Sequence, residues 1–351
     1  MNGGLVMGVV WTSSMSGAPW TRSKMMDATK QLRQRALISF VIDVDMLEDL
    51  AELDKHVFAI RPDLVLSISQ LDLKGRYTQQ LLQAIAELQH ITALQLNLRH
   101  SMDLSILGKL ERLQYFSITS RQPVHLSFIS NFTELKYLSV HGKFHDLTPI
   151  GDAAGLDTIL LSTTIHELDF VRQLPKLKCL FIHDCTLEGS LDALVDSTVT
   201  MLSLAGIRNL TDLTAIELMS KLVYLRLSLS KVEFLCDFSK MHDLRQLELD
   251  QMKALQQIDP LWTAQRLELL SLREISTTVK AKDLEPLTEM PHLQQLDFQF
   301  IDFNKGRITA LREWFAQAGK AHILYENIPE DQRMEPLSLL HLQEHLGLDK
   351  S

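Results

Sequence analysis

The 351 residues include 46% hydrophobic and 23% charged side chains and carry a formal net charge of −9; this balance supplies an extensive core and excludes a disordered or low-complexity chain. No run of about 18 uncharged apolar residues occurs, which excludes a membrane-spanning helix, and the acidic balance argues against nucleic-acid backbone or anionic lipid as the main partner. Three cysteines, Cys179, Cys185 and Cys236, are too few and too unevenly numbered for a disulfide framework, so a reducing compartment and a cytoplasmic location are expected.

Residues 1–35 begin Gly- and Ser-rich, and no base precedes their short apolar run. A disordered extension is expected there in preference to a secretory signal. Residues 36–95 read as an N-terminal cap of longer α/β coils. In it "LISFVI" (37–42) and "LVLSI" (64–68) are expected strands, while "MLEDLAELDKHV" (46–57) and "QQLLQAIAELQHI" (79–91) carry helical spacing.

From residue 96 to 303 the pattern apolar-x-x-apolar-x-apolar returns again and again, as in "LQYFSI", "LKYLSV", "LKCLFI", "LVYLRL" and "LRQLEL". Its last apolar residue falls at 96, 118, 140, 161, 182, 204, 227, 249, 272 and 298. So constant a period means one supersecondary unit stacked many times, because no single unit buries its own apolar face. Each period joins a short strand to a return with helix-like spacing, as in Leu210, Leu213, Ile216 and Met219. Residues 304–351 are the expected C-terminal α/β cap: a helix at 307–320, a strand at 322–328 and a last helix around "PLSLLHLQEHL" (336–346).

These residues resemble leucine-rich repeat proteins, in particular the 22-residue class of bacterial internalins and phosphatase regulators. The return motifs "DLSIL" (103–107), "DLTPI" (146–150), "DLTAI" (212–216) and "DLEPL" (283–287) strengthen the likeness. The resemblance implies an α/β solenoid with a parallel concave sheet, short helical or irregular convex returns, and helical caps at both ends. The chain departs from the family at the turn after each strand, where an Asn ladder is usual and where it has Cys185, Ile207, Met252 and Ile275 among others. Backbone groups there must pair by another route.

No phosphate-cradling loop, metal-type pairing or nucleophile elbow is present. "FIHDC" (181–185) comes nearest to a reactive site, but alternation sends His183 outward and leaves Cys185 at the turn. No catalysis and no cofactor are therefore expected. The resemblance implies a protein-protein interaction module binding its partner on the concave face. The alternatives are a regulatory subunit of an enzyme such as a phosphatase, or a secreted effector or adhesin. On that face alternation gathers Tyr115, Tyr137, His141, Leu160, Phe181, His183, Tyr224 and Arg226 as an aromatic and histidine cluster, beside a mainly acidic end of Glu248, Asp250, Arg273 and Asp297. These twelve are the candidate partner-binding residues, with the aromatics expected to stand outward and exposed.

Overall fold

Leucines two residues apart, repeated once per coil, can all be buried only if successive strands stack in phase. They do so within each unit. The computed structural model describes residues 14–17, 19–70, 77–299 and 306–346 in two compact units, Met1–Leu156 with Gln343–Ser351 and Asp157–Leu342. The first unit contains β1 (Ser14–Ser16), α1 (Arg22–Gln31), β2 (Leu37–Val41), α2 (Glu48–Leu53), β3 (Val65–Ser69), α3 (Gln79–Ala86), β4 (Ala93–Leu98), β5 (Tyr115–Val124) and β6 (Tyr137–Phe144). The second contains β7 (Thr158–Thr163), β8 (Cys179–His183), β9 (Met201–Ala205), α4 (Thr214–Glu217), β10 (Tyr224–Ser228), β11 (Gln246–Asp250), β12 (Leu269–Arg273), β13 (Gln295–Gln299), α5 (Gly306–Gln317) and the start of α6 (Leu337–Leu346). Within each unit the strands are parallel and follow one another in the order of the chain. This is leucine-rich repeat architecture.

In the second unit the register runs Leu180 to Leu202 to Leu225 to Leu247 to Leu270 to Leu296, without a slip. All six are fully buried. The first unit repeats the device with Leu94, Phe116 and Leu138. Most returns are single 3₁₀ turns, such as Ser105–Lys109, Thr148–Asp152 and Asp259–Thr263. Three residues per turn suits the spacing of Leu104, Leu107 and Leu110, all buried. The Asp of the return motif acts locally, since Asp103, Asp146, Asp212 and Asp237 each accept a 2.9 Å hydrogen bond from the amide two residues on. Bonds from the following Ser or Thr hold these carboxyls below the usual carboxylate range. Asp283 of "DLEPL" differs, accepting from the amide of Lys280 behind it.

The absent Asn ladder is replaced by a tight turn. Asp184, Gln251 and Glu274 adopt positive φ, as do Gly142 and Gly206. Asp184, Gln251, Glu274 and Gly206 each follow the last outward residue of their strand and turn the next side chain inward, so Cys185, Met252, Ile275 and Ile207 are buried. Main-chain bonds then join the turns of neighbouring coils, among them Asp184 N to Ala205 O at 2.9 Å, Gln251 N to Arg273 O at 2.9 Å and Ser276 N to Met252 O at 3.0 Å. Leu229 N donates to the Met252 sulfur at 3.4 Å. The Asn209 side chain still bonds the main chain of the neighbouring coil: it accepts from Leu187 N at 3.1 Å and donates to Leu187 O.

The structure corrects the sequence expectations at three places. Within the stretch 1–35, expected to be disordered, residues 14–16 form β1 and Arg22–Gln31 form α1, capped by the Thr21 hydroxyl and seated through buried Trp20, Met25 and Ala28; residues 1–13 lie outside the described residues. The strand expected at 322–328 is instead a pair of 3₁₀ turns, Ala321–Ile323 and Tyr325–Asn327, with one bridge from Leu324 to Leu296. The last helix does not extend the end cap, which is formed by α5; its first turns lie back on the open face of the second unit's sheet.

Gly142, at φ +103°, has no room for a side chain, because a Cβ there would stand 2.0 Å from Ser120 O. Gly142→Ala is expected to cost at least about 1–3 kcal/mol, read as a lowered melting temperature by circular dichroism. An unchanged melting temperature would mean that the backbone at Gly142 has another conformation.

Candidate protein-binding face

Alternation along the strands places three columns on the face opposite the leucine core, and all twelve candidate residues stand in them. Tyr115, Tyr137 and His141 belong to the first unit. Leu160, Phe181, His183, Tyr224, Arg226, Glu248, Asp250, Arg273 and Asp297 belong to the second. Their exposure differs from expectation: Tyr115 is 5%, Tyr137 3%, Phe181 1% and Tyr224 0% accessible. The aromatic cluster is therefore not an exposed patch. Tyr115 and Tyr137 stack at 4.6 Å, nearly parallel. Phe181 meets the His183 ring edge to face at 5.7 Å.

In the second unit the cover lies in the C-terminal segment. Gln295 accepts from Met334 N at 2.8 Å and donates to Met334 O at 3.2 Å. Gln246 makes a similar clamp further along, accepting from Leu337 N at 2.7 Å and donating to Glu335 O at 3.2 Å. The fully buried Ser338 lies against the Tyr224 phenol. At the far end His341 Nε2 is 2.8 Å from Thr158 Oγ1 and 2.6 Å from Asp157 Oδ1. Residues 334–341 thus cross the first column from β13 to β7, and every first-column residue of this unit is buried. Strand alternation alone puts Gln246, Gln295 and Thr158 in that column, but it gives them no role. The available signal was glutamine at two coils of a column otherwise rich in apolar and aromatic residues.

The charges beside this column neutralise one another. Tyr224 donates to Glu248 at 2.9 Å, Arg226 bonds Asp250 at 2.9 Å and lies 3.8 Å from Glu248, and Arg273 bonds Asp297 at 2.9 Å. Glu248 and Asp297 are buried, so the end expected to be a mainly acidic surface is an internally paired network. Burial lifts the Tyr224 phenol well above its usual range, assisted by the Glu248 carboxylate. His183 Nε2 lies 2.9 Å from Ser203 Oγ. Burial, together with the Arg226 charge, lowers its pKa to about 4. Its neighbour Cys185 has a thiol pushed up to about 11 by burial and by Asp184, far from the thiolate that nucleophilic chemistry requires. Among the described residues no group of three or more His, Cys, Asp and Glu is arranged to hold a metal ion.

No protein-family model and no curated protein matches the chain. Solved structures do. An internalin from Listeria monocytogenes aligns with 75% of this chain and 78% of its own at 19% identity, with a TM-score of 0.47. A leucine-rich repeat protein from Leptospira interrogans aligns with 90% of this chain and 88% of its own at 14% identity and a TM-score of 0.42. A plant peptide hormone receptor, solved in complex with a peptide hormone, covers 82% of this chain with 53% of its own at 13% identity and a TM-score of 0.43.

Because the Phe181 ring is enclosed, Phe181→Ala is expected to cost about 3–5 kcal/mol, measured by urea unfolding; a loss below about 1 kcal/mol would show that the ring is not packed. Burial of His183 has a consequence in acid. Its ring stays neutral in the folded chain down to about pH 4, against an ordinary value of 6.5, so between those values the unfolded chain binds more protons. Stability is therefore expected to fall as pH drops from 6.5 towards 4. His183→Gln should flatten that part of the curve, and an unchanged slope would place the acid sensitivity elsewhere.

Proposed function

We propose that this protein is a non-catalytic interaction module that binds a protein partner on the sheet face opposite its leucine core. One observation carries the reading: the face already holds a polypeptide segment through hydrogen bonds to main-chain groups at Met334, Glu335 and Leu337. A carboxamide offers a donor and an acceptor side by side, as a peptide unit does, so Gln246 and Gln295 reproduce the two bonds of a strand pair on a side-chain scaffold. The rim remains accessible beyond that segment. Burial declines from the first column to the third, where His141 is exposed and His183, Ser228 and Asp250 are partly so. The three thiols are free and buried, which supports a cytoplasmic location.

The test is affinity capture with the full chain from its source organism, identification of the partner by mass spectrometry, and titration of that partner against variants. Ser228→Arg and Ala205→Arg on the third column of the second unit should weaken binding at least tenfold while the protein still melts cooperatively. Lys240→Glu, on an exposed return, should leave binding unchanged. Equal affinity for all three variants would remove the face from the binding site.

A further inference from the structure

We infer that residues 333–342 are a built-in occupant of the second unit's sheet face, and that an extended segment of a partner protein binds by replacing them. The inference rests on the proposed function and adds its regulation. The geometry separates two kinds of recognition along the segment. At β13 and β11 the clamps of Gln295 and Gln246 read only main chain, so any extended polypeptide satisfies them equally well. At β10 and β7 the contacts are to side chains: Ser338 against Tyr224, and His341 against Thr158 and Asp157. A replacing segment would be extended over its first residues and would bring a hydrogen-bonding side chain to Asp157 and Thr158.

The segment is also fastened in a manner that permits exchange. Its upstream end is anchored, with the Arg333 guanidinium 4.3 Å above the Tyr325 ring and its Nε 3.1 Å from Ile328 O. Immediately before it, residues 329–332 are all exposed, which gives a tether clear of the core. Of the leucines from 337 to 342 only Leu342 is buried; Leu337 and Leu340 are half-buried and Leu339 is 36% accessible. Polar bonds to the sheet contribute much of the hold on the segment, so its release leaves the leucine core intact. The fit is incomplete as well. Glu335 Oε2 is shut off from water and meets no hydrogen-bond partner among the described residues, a penalty that a better-matched segment avoids.

The probe is a fluorescent synthetic peptide of residues 333–346, titrated into the full-length protein and followed by anisotropy. In the parent the tethered copy competes at an effective concentration on the order of millimolar, so the peptide should bind weakly. The variant Ser338→Asp/His341→Ala alters only the tethered segment and should bind the peptide at least tenfold tighter. Adding Gln246→Ala and Gln295→Ala to that variant should take back the gain. Equal peptide affinity in parent and variant would overturn the inference. So would a concentration-dependent dimer of the parent by light scattering, since the natural occupant would then be a second copy's segment. If the variant does not fold, hydrogen exchange on the parent decides: excess peptide should speed exchange across residues 334–342, and unchanged protection would overturn the idea. A captured partner that is sensitive to the face variants yet binds parent and Ser338→Asp/His341→Ala equally would sink the replacement step and leave the proposed function standing. A partner indifferent to the face, with peptide exchange as expected, would do the reverse.

Discussion

No coil of this protein buries its own leucines. Each strand offers two or three apolar side chains to one side, and shielding them from water takes the same residues of the coils before and after together with the buried residues of the returns. In-phase parallel stacking is therefore the constraint from which the rest follows. It aligns Leu202 with Leu180 and Leu225, and in doing so aligns the residues between the leucines on the opposite face. A column of side chains there is a by-product of core packing. Whether that column becomes a site depends on which residues occupy it.

The repeat was legible because its signal is local and recurs along the chain: strand positions, inward leucines and the Asp that caps several of the returns all lie within one period of about 22 residues. The turn that replaces the Asn ladder was harder to see. Its essential feature is a left-handed residue supplied by Asp184, Gln251 and Glu274 as well as by glycine, and the first three carry no distinctive mark in the sequence. Helix α1 went unseen for a related reason. Its seat depends on the burial of Trp20, Met25 and Ala28, a tertiary arrangement with no period of its own.

The candidate site was legible in one respect and opaque in another. Alternation put all twelve residues on the face opposite the leucine core, since the two-residue period of a strand is independent of what covers it. Alternation carries no information about exposure. Thr158 and His341 are 183 residues apart, and nothing in either neighbourhood announces the other. An outward Phe181 has no need of an external partner to be buried, because the chain covers this face itself.

The paired charges narrow what the face can recognise. Arg226 already has Asp250 at 2.9 Å and Glu248 at 3.8 Å, with Glu248 also accepting from Tyr224. An incoming carboxylate would have to displace a bond of equal quality, and an incoming base would have to draw Glu248 away from two partners, so neither gains much over water. The glutamines are different, because a main-chain segment that leaves them is replaced by another main-chain segment with the same donor and acceptor. Exchange at Gln246 and Gln295 conserves the number of hydrogen bonds, and the free energy that separates one occupant from another is left to the side chains that follow: Ser338, His341 and Leu342 in the resident segment, and their counterparts in whatever replaces it.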